Sequence, residues 1–129
     1  MSMTRPAIVI GWLTLCAALC GPALAHESQP GLLELRQLGP ERYEIIWRAP
    51  IYYGKPHPAE LQLPQGWLTV GEPTLRQLPD SALHRRIVDL AGGSIDGSVI
   101  RFPGLEATIT DVFVRVSRLD GSEASLVVR

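Results

Sequence analysis

The feature that most constrains this chain is its start. Arg5 gives a short positive opening, and residues 7–20 (AIVIGWLTLCAALC) are apolar almost throughout. Gly21-Pro22 then breaks the run, and Ala23-Leu24-Ala25 supplies a small-x-small cleavage signal. This is the layout of a secretory signal peptide. The apolar run is shorter than the roughly 20 residues a membrane-spanning helix requires. The reading is therefore a signal peptide over residues 1–25, cut between Ala25 and His26, and one exported domain over residues 26–129. If the leader is not cleaved, it becomes a single-pass tether. The expected location is the periplasm or the cell exterior.

Export would normally favour disulfides, yet both cysteines, Cys16 and Cys20, lie inside the leader. The exported domain is thiol-free and must hold itself together by burial. Leu15 and Leu19 precede the two cysteines, where lipoprotein signals carry a small residue, so lipidation is disfavoured. Taking 25 residues from 129 leaves 104, enough for one domain with a modest core. Arg5 is the one charged residue removed from 12 basic and 13 acidic, leaving 11 against 13. That balance gives no footprint for nucleic acid.

Gly and Pro recur every eight to twelve residues, the rhythm of short strands. Leu33 and Leu35 alternate with polar neighbours, as do Tyr43, Ile45 and Trp47. Further strand candidates are 61–63, 67–70, 74–78, 82–90, 99–102 and 124–128. Gly39-Pro40 and Asp120-Gly121 mark turns. The strongest candidate is 105–118, where apolar positions switch phase between Ile109 and Val112. A period of two predicts a bulge or bend near Thr110-Asp111. The fold class expected is all-β: a single antiparallel, Ig-like β-sandwich of seven or eight strands. The chain stops at Arg129 within a strand pattern, which reads as an edge strand or as truncation.

Several segments resemble the extracytoplasmic N-terminal region of HupE/UreJ-type membrane proteins. They are Ala25-His26-Glu27, then Pro30-Gly31-Leu32-Leu33-Glu34-Leu35, then Tyr43-Glu44-Ile45-Ile46-Trp47 with Pro50. The most specific is Gly104 to Val116 (GLEATITDVFVRV), with Asp120-Gly121 close behind. In that family the β-domain precedes a multi-helix membrane region, and members are discussed as nickel or cobalt permeases. The resemblance implies an accessory or interaction module whose partner is a membrane protein or a membrane region not encoded in this sequence. It does not imply transport by this segment itself.

Three histidines are the candidate metal ligands: His26, His57 and His84. After cleavage, the α-amine and imidazole of His26 can chelate one ion together, and a second imidazole would complete a copper- or nickel-binding site. The competing and favoured reading of His26 is simply the residue that follows the cut. His57, between Pro56 and Pro58, reads as an exposed loop residue, and His84 as a surface strand residue. Asp111 within an apolar stretch reads as a buried structural anchor, with Arg115 its counterpart on the same face. Tyr52, Tyr53, Trp67 and Trp47 could line a groove, Trp47 reading as core. There is no phosphate loop, nucleophile elbow or catalytic cysteine, so an enzyme is disfavoured.

Overall fold

A computed structural model describes residues 29–129. The expected leader, its cleavage point and His26 lie outside the described residues. The strands are β1 (Gly31–Gln37), β2 (Arg42–Tyr52), β3 (Lys55–Pro56), β4 (Leu68–Gln77), β5 (Ser81–Asp89), β6 (Val112–Ser117) and β7 (Glu123–Val128). They form one mixed sheet in the order β4-β5-β2-β1-β6-β7, with β3 a short flap paired to β2. Among the described residues no helix is long and apolar enough to cross a membrane.

The alternation expected of β1 and β2 is what they do. Leu33 faces Trp47 across the ladder and Leu35 faces Ile45. All four are essentially buried. On β5, Val88 continues that face opposite Tyr43. On β6, Val112 and Val114 continue it opposite Gly31 and Leu33. Fully burying one such aliphatic side chain is worth about 1.5–3 kcal/mol, so this face is the main source of stability.

The all-antiparallel expectation is corrected at β1 and β6, which run parallel. A parallel neighbour needs a long crossover. Residues 90–111 provide it, carrying the chain from the β5 side of the sheet to the far side of β1. The Asp111 carbonyl then accepts the Gly31 N–H at 2.9 Å, which sets the parallel register. The crossover also buries Leu90, Phe102 and Leu105 on the apolar face. The connection between β3 and β4 adds Ala59, with Leu61, Leu63 and Trp67 partly buried beside it. The layer over the sheet is thus made of two connections.

Those connections are fastened to each other. Gln62 and Arg101 exchange backbone bonds of 2.9 and 3.0 Å, and the Glu60 N–H donates to the Pro103 carbonyl at 3.0 Å. The 61–63 and 99–102 segments, expected as strands, amount to this one isolated bridge. Pro58 and Pro64 bracket the first and Pro103 stops the second, and each proline removes a ladder donor.

The phase switch in 105–118 is a break rather than a bulge. Leu105–Ala107 is a 3-10 turn, and the strand begins only at Val112. The Thr108 hydroxyl donates to the Leu105 carbonyl at 2.8 Å and accepts from the Thr110 N–H at 3.1 Å. Such local bonds offer the backbone an alternative to the ladder. The bulge of this sheet lies instead in β4, between Val70 and Thr74.

Gly104 fixes where the two connections meet. Its φ is +88°, and a Cβ there would lie 2.7 Å from the Pro58 carbonyl oxygen. Gly97 shares the left-handed conformation (φ +76°) but faces open space. We expect Gly97→Ala to cost about 1–2 kcal/mol in urea unfolding, the cost of the backbone conformation alone. Gly104→Ala should cost roughly 1–3 kcal/mol more, from the clash. Equal losses would show that the Gly104–Pro58 approach is not a constraint.

Candidate functional site

The sequence places His57 between two prolines, which favour an extended backbone on either side. The structure folds this segment back onto the sheet, so His57 is buried (9% exposed) rather than an exposed loop residue. Its Nδ1 accepts the Ala59 N–H at 3.1 Å. A neutral imidazole that accepts at Nδ1 carries its proton on Nε2. That Nε2 is buried and has no hydrogen-bond partner among the described residues. The Tyr52 ring lies 6.3 Å from the His57 ring, and the Tyr52 hydroxyl donates to the Gln29 carbonyl at 2.6 Å.

His84 sits in mid-β5 opposite Trp47, on the face that carries the core. It is half-buried rather than a surface residue. His57 and His84 line one cleft of about 390 Å³, between the β2–β5 face and the 56–61 segment. The structure thus brings together two of the three histidines singled out in the sequence. His26 lies three residues before Gln29, outside the described residues. Burial lowers the pKa of His57. Burial, then the charge of Arg86, lowers that of His84.

Copper or nickel would need free nitrogen lone pairs. The Nδ1 lone pair of His57 is committed to Ala59, and its Nε2 holds the proton. That leaves His84, and among the described residues no three His, Cys, Asp or Glu side chains group together. His57 and His84 therefore do not fit a metal ion by themselves.

Asp111 lies just before β6, not inside a strand, and its carboxylate is 41% exposed. It pairs with Arg129 at 3.6 Å. Arg115 pairs with Glu34 on β1, also at 3.6 Å, and is not the counterpart of Asp111. The buried carboxylate of the sheet is Glu44, held on the outer face by Arg36 at 3.3 Å and by Arg85. Of the aromatic candidates, Trp47 is core and packs 5.3 Å from the Phe102 ring. Trp67 is partly buried under the cover, and Tyr53 is 87% exposed at the β2–β3 turn.

Sequence reasoning missed Arg86. The Arg85-Arg86 doublet carried the signal, because neighbours in a strand point to opposite faces. Arg85 reaches Glu44 on the outer face, while Arg86 shares the inner face with His84 and lines the cleft.

No protein-family model, curated protein or solved structure matches this chain.

Both histidine pKa values lie below the ordinary 6.5. Between 6.5 and the lowered values, the unfolded chain binds more protons than the folded one. Their contribution to stability is therefore complete above about pH 6.5 and is lost as the pH falls. We expect the urea midpoint to drop between pH 7 and pH 5. His57→Asn should drop less, because an Asn oxygen can still accept the Ala59 N–H but does not titrate. A His57→Asn profile parallel to wild type would remove His57 from this effect.

Proposed function

We propose that this chain is a non-enzymatic extracytoplasmic interaction domain of the HupE/UreJ N-terminal kind. In this reading a leader over residues 1–25 exports it, and residues 26–129 form a sandwich-like two-layer domain outside the cytoplasm. It serves a membrane protein, or a membrane region joined to it, in the nickel or cobalt uptake that the resemblance implies. The docking surface is the free edge of β7.

The contrast between the two edges of the sheet carries this reading. β4 is a defended edge: it is bulged between Val70 and Thr74, around Gly71, Glu72 and Pro73. Bulges, charges and prolines are the standard guards against strand addition. β7 has no bulge and no proline, and its one charge, Glu123, sits at its first position. It runs Glu123–Val128 without Gly or Pro, and among the described residues β6 is its one neighbour in the sheet. Its Leu126 and Val127 are 54% and 45% exposed, and Phe113 stands exposed across the ladder from Val127. An edge charged only at its start, with apolar side chains on both faces, suits recognition by strand addition, where backbone bonds give affinity and side-chain pockets give specificity.

The N–H of Ala59, not a serine hydroxyl, engages His57, which favours binding over nucleophilic catalysis.

Two measurements test the proposal. Intact mass of the exported protein should begin at His26; a mass that includes Met1 in the exported fraction would end the cleavage reading. A photo-crosslinking residue at Val127 should capture an integral membrane protein in native membranes, and the same residue at Glu72 should not. Equal capture from both edges, or none from Val127, would end the β7 reading.

A further inference from the structure

The cleft that holds His57 and His84 carries an inference independent of the β7 edge. Arg86 stands on its sheet floor, opposite Ile45 of β2 and two residues from His84. It is half-buried, and no carboxylate among the described residues lies within ion-pair distance of it. Its neighbour Arg85 has Glu44; Arg36, Arg42, Arg48, Arg115, Arg118 and Arg129 also have carboxylate partners. Glu60 lines the cleft but does not pair with Arg86. A partly desolvated guanidinium without a counter-charge is costly, and a charge-assisted fork to an anion relieves that cost.

The roof of the cleft supplies a second polar group. The Nε2–H of His57 is a donor with no acceptor, and leaving such a group buried costs about 1–3 kcal/mol. The remaining walls include Trp47, Ala49, Leu61 and Ala82, an apolar lining around a few polar groups. A larger cleft of about 560 Å³ on the outer face lacks this arrangement, because its Arg48 and Arg115 are paired to Asp80 and Glu34.

We propose that the cleft between β2–β5 and the 56–61 segment binds a small monocarboxylate with an apolar body. Its carboxylate rests on the Arg86 guanidinium, beside the His57 ring that lines the same cleft. Its body lies against Trp47 and Leu61. The single charge follows from the lining. Arg86 is the one permanent cation there, burial keeps both imidazoles neutral near pH 7, and Glu60 repels a dianion.

Benzoate is the probe, benzamide its neutral isostere and inorganic phosphate the dianion, read by the imidazole resonances of the full exported protein. We expect benzoate to shift the His57 and His84 signals saturably, and benzamide and phosphate at the same concentrations to leave them in place. Arg86→Gln should weaken benzoate roughly tenfold or more, the value of one charge-assisted contact. Arg86→Lys should retain part of the affinity, since it keeps the charge and loses the fork. Arg76→Gln, on the outer face of β4, should bind as wild type. Backbone amide shifts of β1 and β6 separate lost binding from lost folding, and if Arg86→Gln does not fold, the Lys variant decides. Equal response to benzoate and benzamide, full affinity in Arg86→Gln, or no saturable shift with benzoate would each overturn the proposal. So would nickel or copper ions shifting both histidines where benzoate does not.

Discussion

Everything in this domain depends on how one sheet with a single apolar face is covered. A sheet that buries one face needs a second layer against it. Here the described residues offer no second sheet, because their seven strands join one hydrogen-bonded system. The second layer is two stretches of connecting chain held together where Gln62 meets Arg101 and where Gly104 lets Pro58 approach. Connections carry unpaired backbone groups, and burying these without partners is unfavourable. The cross-bonds between the two stretches, together with the His57 side chain on the Ala59 amide, satisfy several of them at the point of contact.

The two faces of the sheet then take different chemistry. The outer face is a lattice of arginines and carboxylates centred on Glu44, which is buried yet contacted from both β1 and β5. Exposed pairs of this kind are worth about 0–1 kcal/mol each, so most of the lattice sets register and solubility more than stability. Glu44 is the exception, because a buried carboxylate with its partners removed leaves an uncompensated charge. The inner face is apolar over β1, β2 and β6, and turns polar toward β5 at His84 and Arg86. A cleft of about 340 Å³ also opens over Leu33, Leu35 and Val114, but its lining carries no charged side chain, so the polar cleft is the one on the β5 side.

Much of the frame was legible in the sequence. Leu33 and Leu35, and Tyr43 through Trp47, announced their faces by alternation. Asp120-Gly121 announced the β6–β7 turn, where the Ser122 N–H now bonds the Asp120 carboxylate at 2.8 Å. Strand direction was not legible. The parallel match of β1 and β6 depends on where a long crossover lands, and no local pattern encodes that. The break before Val112 was half legible: the phase change is visible in the sequence, but the Thr108 hydroxyl bonds that turn it into a loop are not. At the site, His57 drew attention through its prolines and His84 by its residue type. Their meeting in one cleft, and the stranding of Arg86 beside them, follow from the fold-back of 56–61 over the sheet, a tertiary event.

β4 has a consequence of a different kind. It is paired along β5, yet it is exposed on both faces for nearly its whole length. Detaching it would uncover almost no core, so the free energy that holds it is little more than its ladder bonds. The sheet therefore ends on that side in a strip that can peel while the β1–β2–β6 centre stays closed. The cleft floor on β5 borders that strip where His84 faces Leu75, yet no β4 residue lines the cleft, so fraying of β4 would leave the cleft walls in place.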